Sequence, residues 1–329
     1  MAAGICGGTM AGCGFPENKR GGLGPTETET RALRPYSCSI GTLTDAPMSA
    51  MTCSHGNEGQ KKIGILIMEV EIRRLSTQEE MDACIALQKT IWGLEDQGVT
   101  SPISLKAWTM EDVRTGFVLG AFADKGMVGM AIAMATMEPG LAYGHMLGVL
   151  DEYRDRSVGG LLHQVLVQEL LSRNIREMAW TYDPMESRNG YLYLTLQGGK
   201  GIRYMEDCYH VPCSMHAGIP MDRLLVRCSL DGKPEHKDDM TTAGALALYP
   251  LAGPEHMPHD NAVLLEIPGD LKTLKMNDMD RALRWQQDIR CVFTEYLNRR
   301  SYHATRLFSE TSDTGRRSFY LLSRNRTIS

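Results

Sequence analysis

Apolar and polar positions change period along this chain, and each change marks an element. Residues 68–75 alternate as a strand does. Thr77-Gln-Glu-Glu80 follows, with Thr at the N-cap position and Glu three residues later. This capping box predicts a helix to about Trp92. Residues 117–122 and 127–135 are apolar strand-like runs around Ala123-Asp-Lys-Gly126, a hairpin turn signal. Another strand is predicted over 141–150. From 158 to 171 the period lengthens, and Val158, Leu161, Leu162, Val165 and Leu166 form one helical stripe. Residues 177–182 read as a strand ended by Asp183-Pro184, and 224–228 as a further strand.

A polar stretch over 231–239 then reads as a linker. Beyond it the pattern gives a strand at 263–267, a helix from about Asp280 to Arg299 and a last strand at 319–322. Trp285, Ile289, Val292, Phe293 and Tyr296 share one face of that helix, a spacing that marks packing. The expected fold class is therefore α+β with a mixed sheet: a larger domain over 68–230 and a smaller α+β unit over 231–329. Residues 1–67 differ from both. They hold 12 of the 33 glycines and four of the nine cysteines, without a clear apolar period. They are read as a disordered extension or an artefact of start-site choice.

Composition narrows the function classes. The content is 43% hydrophobic and 23% charged, that of an ordinary soluble protein. No apolar run reaches the roughly 18 residues a membrane span needs, so no membrane partner is expected. The net charge of -5 comes without a long Lys/Arg block, which argues against nucleic acid. The nine cysteines form no CxxC pair, so no metal is expected, and reduced thiols in the cytoplasm are the preferred reading.

The chemistry concentrates between 149 and 160, where a strand turns directly into a helix. Such a turn aims unpaired backbone N–H groups and the positive helix end at one point, a ready site for phosphate. The amides of Ser157, Val158, Gly159 and Gly160 would be the donors, the alternative being an ordinary helix start. Arg154 and Arg156 add charge, and Gly159 and Gly160 permit close approach. A diphosphate suits this arrangement better than one carboxylate.

Arg154-Asp-Arg-Ser-Val-Gly159 resembles the acyl-CoA pyrophosphate loop of the GNAT superfamily, Arg/Gln-x-x-Gly-x-Gly after a strand. His145-Met-Leu-Gly-Val149, Trp180-Thr-Tyr-Asp-Pro-Met-Glu-Ser-Arg-Asn189 and Gly218-Ile-Pro-Met-Asp-Arg-Leu-Leu-Val226 resemble a predicted-acetyltransferase subfamily of it. That subfamily includes amino-acid N-succinyltransferases. One position departs: Ser157 stands where the family usually has its first Gly, and a positive φ there would cost a serine more than a glycine.

The resemblance implies an N-acyltransferase that uses acetyl-CoA or another acyl-CoA, here succinyl-CoA included, and acts on a small-molecule amine or amino acid. It implies a thioester held where two central strands part, with backbone groups of Leu147 and Val149 on the pantetheine arm. Asn189 is a further candidate for that arm, a helix cap being its alternative. His145 and the rival Glu138 are candidate bases, since direct transfer needs a neutral amine. Strand alternation puts His145 on one face with Leu147 and Val149. The family's acid tyrosine falls on Leu194, which leaves the adjacent Tyr193 and Tyr191 as candidates. Asp183 could seat an ammonium, or simply form a turn before Pro184. Arg188, Arg203 and Arg223 are candidates for a succinyl carboxylate. A homodimer is one further expectation. Two other readings stay open: a CoA-binding module or sensor without catalysis, and a phosphate- or nucleotide-binding protein.

Overall fold

The computed structural model of this 329-residue chain describes residues 36–39, 69–110, 112–113, 115–209, 218–232, 240–312 and 315–324. The larger part of residues 1–67, and residues 233–239 of the linker read over 231–239, lie outside the described residues.

The chain opens with strands β1 (Tyr36–Ser39) and β2 (Glu69–Arg74), then helices α1 (Gln78–Trp92) and α2 (Pro102–Thr109). The predicted capping box is present at α1: Thr77 Oγ1 accepts from Glu80 N at 3.3 Å, and the Glu80 carboxylate accepts from Thr77 N at 3.2 Å. Gly93 ends that helix in the left-handed conformation, donating to Lys89 O. The sequence reading did not include α2. Its signal is Ser101 before Pro102, an N-cap whose hydroxyl accepts from Ser104 N at 3.1 Å.

Strands β3 (Gly116–Ala123), β4 (Gly126–Ala135) and β5 (Leu141–Val149) form an antiparallel meander. Helix α3 (Val158–Leu171) returns the chain to β6 (Glu177–Tyr182), which pairs parallel to β5. A short helix α4 (Ser187–Gly190) runs into a π-helical segment, Tyr191–Leu196, and then β7 (Lys200–Met205) and β8 (Arg223–Ser229). The remaining elements are α5 (Thr242–Leu248), β9 (Leu251–Ala252), β10 (Ala262–Pro268), α6 (Leu271–Asn277), α7 (Met279–Phe293), β11 (Tyr302–Ser312) and β12 (Gly315–Arg324).

Both strand and helix are substantial, as the α+β expectation requires. The strands form one mixed sheet in the order β1-β2-β3-β4-β5-β6-β8-β7-β11-β12-β10-β9. The sheet continues past residue 230, because β11 pairs with β7 at Ala304 and Gly201. Alternate residues of β3 and β4 feed two cores. Phe117, Leu119, Ala131 and Ala133 pack with Val158, Leu162, Leu166 and Leu170 of α3. Val118, Met130 and Ile132 face the other way, onto Met81, Cys84 and Leu87 of α1 and Leu105 of α2. The sheet is thus sandwiched between α3 and the α1–α2 pair, and the candidate site lies where that sheet opens.

Candidate active site

Strands β5 and β6 pair over only four steps, from Leu141 opposite Glu177 to Gly144 opposite Trp180. Both continue, β5 with β4 as far as Val149 and β6 with β8 as far as Tyr182, but no longer with each other. The sheet therefore parts into a notch above Gly144. The N–H of Leu150 donates to Val128 on β4 at 2.9 Å. Backbone direction alternates along an antiparallel ladder, so the main-chain groups of Leu147 and Val149 point away from β4, into the notch.

The cause of the parting is legible in the register. Ile132 faces Met146 and Ala133 faces Gly144, which leaves His145 as the extra residue of a β-bulge in β5. The bulge breaks the two-residue alternation and corrects one expectation. Leu147 and Val149 lie on the α3 side, both 3.7 Å from the point a Cβ on Gly159 would occupy. His145 lies on the α1–α2 side instead. Its Nε2 is 3.3 Å from Thr100 Oγ1, and its ring meets Trp108 edge-on at 6.0 Å. Thr100 is itself fixed by the fully buried Gln88, whose Oε1 accepts from Thr100 N at 2.8 Å. Burial lowers the His145 pKa, which keeps the imidazole neutral near pH 7.

The loop after β5 turns through a single 3-10 turn, Asp151–Tyr153, into α3. Ser157 is the N-cap, with φ 60° and ψ 6°, and its side chain makes no capping hydrogen bond. The first intrahelical bond of α3 runs from Leu161 N to Ser157 O, so the amides of Val158, Gly159 and Gly160 precede the helical ladder. A Cβ on Gly160 would meet nothing within 4 Å. Leu147, on the adjacent strand, is 38% exposed despite its apolar side chain. These observations fit a diphosphate at the helix start with an apolar arm running along β5. Arg154 bonds to the loop itself, Nε to Val149 O at 3.4 Å and Nη2 to Asp151 at 2.9 Å. The Arg156 guanidinium lies over the Tyr153 ring. Arg188 of α4 pairs with Asp155 of the loop at 3.7 Å, linking the two sides of the notch mouth.

Other expected residues are placed less closely. Glu138 sits before the zipped end of β5, engaged with Arg227 at 2.6 Å, and not at the notch. Leu194 is fully buried, and Tyr193 packs edge-on against both Trp180 and Tyr182 at 5.2 Å. Burial pushes the Tyr193 hydroxyl pKa up. Tyr191 is 41% exposed. Asn189 is half-buried in α4, and Arg203 is exposed on β7. Asp183 follows β6 and accepts from Met185 N at 2.9 Å, the turn its sequence suggested. Burial also raises its pKa, opposed by the Met185 amide and Arg223.

The structure adds a group that the sequence reading missed. The Tyr143 and Tyr209 hydroxyls are 2.9 Å apart, and Thr181 Oγ1 is 3.1 Å from Tyr209. Burial, then the Tyr209 contact, raises the Tyr143 pKa. The buried Arg223 places its guanidinium 5.6 Å from the Tyr209 ring centroid. Among the described residues no cluster of three metal-binding side chains occurs, and no helix is long and apolar enough to cross a membrane.

A mixed sheet parts here between two parallel strands, beside a helix start that faces the gap. Residues 81–193 match the acetyltransferase (GNAT) family, whose members use an acyl-CoA as co-substrate, and that match supports an N-acetyltransferase-type enzyme. Among solved structures, the chain is similar to the ribosomal-protein-S18-alanine N-acetyltransferase from Escherichia coli. That match has 15% identity and a TM-score of 0.40, covering 51% of this chain and 97% of that one. It is also similar to an IAA acetyltransferase from Bacillus cereus, with 14% identity and a TM-score of 0.38, covering 49% and 99%. A ribosomal-protein-alanine N-acetyltransferase from Brucella melitensis gives 17% identity and a TM-score of 0.38, covering 48% and 98%. No curated protein matches the sequence.

Proposed function

We propose that this protein transfers an acyl group, acetyl or succinyl, from CoA to the amine of a small molecule or amino acid, directly and inside the notch. The observation that carries the reading is the end of β5–β6 pairing at Gly144 and Trp180, next to the open first turn of α3. A bound acyl-CoA supplies the activated thioester. The amides of Ser157, Val158, Gly159 and Gly160 hold its diphosphate, with Arg154 and Arg156 adding positive charge near them, and the main chain of Leu147 and Val149 orients the arm.

On the opposite face of β5, His145 takes the proton of the amine. Its Nε2 lies 3.3 Å from Thr100 Oγ1, and the Nε2–H tautomer leaves the Nδ1 lone pair for that purpose. Asp183 and Arg223 recognise the acceptor's ammonium and carboxylate, and Tyr143, Tyr209 and Thr181 line the same face with hydroxyls. The transferase site belongs to residues 68–230, and residues 231–329 brace it. Thiol release from acetyl-CoA and succinyl-CoA over a panel of amines tests the reading. No release with either donor, together with no heat of CoA binding, would remove it.

One observation favours a second reading, a CoA-binding module without turnover. The position of the family's acid tyrosine is Leu194, fully buried, and the neighbouring Tyr193 hydroxyl is held in the packing. Tight CoA binding with no thiol release on any amine would establish that alternative.

A further inference from the structure

Trp180 is 7% exposed, yet its indole N–H has no hydrogen-bond partner. Buried donors are almost always paired, because an unmade bond forfeits the full desolvation of the group. Trp180 also occupies a special position. It stands opposite Gly144 in the last pair of the β5–β6 ladder, at the closed end of the notch and on the α3 side of the sheet. A Cβ at Gly144 would lie 3.4 Å from Trp180 Cβ, ordinary contact, so glycine keeps the β5 backbone close to Trp180. The nearest aromatic hydroxyls do not serve the N–H. Tyr182 is bonded to Tyr320 at 3.0 Å, and Tyr193 presents its ring edge-on.

We propose that the Trp180 indole N–H donates to a carbonyl oxygen of the acyl donor, either an amide of the pantetheine arm or the thioester itself. The inference rests on the acyl-CoA reading above and deepens it. A neutral carbonyl is the fitting acceptor, since a charged group would lose more hydration beside this buried donor. A single donor at the closed end of the notch sets how deep the arm enters, and so where the thioester stops relative to His145. Trp180 is thus a positioning residue, through a contact with the donor's arm.

The test uses the full chain with 3′-phospho-ADP, CoA and acetyl-CoA as probes. The 15N-labelled protein has four indole signals, from Trp92, Trp108, Trp180 and Trp285. The Trp180→Phe spectrum assigns the fourth. If that variant does not fold, phenylalanine at each of the other three assigns it by elimination. The expected result is a downfield shift of the Trp180 indole proton with acetyl-CoA and none with 3′-phospho-ADP. A matching shift with CoA identifies an arm amide, and a shift confined to acetyl-CoA identifies the thioester. Trp180→Phe should weaken acetyl-CoA about two- to tenfold, the worth of one neutral hydrogen bond, and leave 3′-phospho-ADP unchanged. Acetyl-CoA binding with an unmoved Trp180 signal overturns this proposal alone. No binding of any of the three probes overturns the acyl-CoA reading with it.

Discussion

Arg290 of α7 grips Asp222 with two bonds, Nη2 to Oδ1 at 2.8 Å and Nε to Oδ2 at 3.0 Å. Asp222 is 2% exposed and also accepts from the Tyr204 hydroxyl at 2.5 Å. Gln286, one turn earlier on α7, donates to Pro220 O at 2.6 Å. A helix beyond residue 231 thereby holds the approach to β8 and, through it, Arg223 beside Tyr209. Arg290→Met leaves a buried carboxylate short of its cation, a loss of about 3–5 kcal/mol. Arg176→Met, at the exposed pair with Asp231, should cost less than about 1 kcal/mol. Urea unfolding of both variants measures the contrast, and equal losses would refute the bracing role.

Ser157 is in the left-handed region, at φ 60°, where the family motif carries glycine. An L-residue gives up about 1–2 kcal/mol there, while glycine adds about 0.5–1 kcal/mol of unfolded-state entropy. Ser157→Gly should therefore gain a few tenths to about 1 kcal/mol, with CoA affinity equal or tighter. Ser157→Val should lose stability, because β-branching is least tolerated at positive φ. Thermal melting with and without CoA reads both variants.

Gly160 and Gly148 separate open space from packing space. A Cβ on Gly160 enters open space, and alanine is the better helix former by up to about 1 kcal/mol. Gly160→Ala should fold as well as the parent yet bind CoA roughly tenfold more weakly, as expected for one charge-assisted bond lost at the diphosphate. A Cβ on Gly148 would lie 2.6 Å from the Trp92 ring, so Gly148→Ala should destabilise the apo fold by about 1–3 kcal/mol. Calorimetry and melting together show whether the two effects separate.

The parts of the fold set by local chemistry could be read from the sequence. Thr77 and Glu80 form the capping box they spell, and Val158, Leu162 and Leu166 bury the stripe that their spacing describes. The loop could be located as well, because a strand, two arginines and two glycines lie within twelve residues. The bulge at His145 could not. An extra residue in β5 is defined only against β4, and one insertion reverses the face that alternation assigns. The Tyr143–Tyr209–Thr181 group was hidden for a related reason: its members come from two strands and a loop, up to 66 residues apart. The run over 302–312 offers no clean alternation, and β11 takes a further bulge between Ala304 and Arg306.

The reversal of His145 gives the last prediction. On the α1–α2 side it lies beside Thr100 and Trp108, where the proposed transfer makes it the base, and burial lowers its pKa below the ordinary 6.5. A base must be neutral to accept a proton, so activity should hold above pH 6.5 and fall as the pH drops through the depressed value. The His145→Gln variant should lose about 10²–10⁴ in kcat, with little change in KM for the acyl donor. Stability shares the sign. Protonation favours the unfolded chain, where imidazole keeps its ordinary pKa, so the histidine contribution is present above pH 6.5 and lost on acidification. Burial lowers His163 in the same way. Unfolding alone would therefore also produce an acid limb, but that limb would survive in His145→Gln. If the limb in kcat persists in the variant while melting remains unchanged over the same range, His145 is not the base.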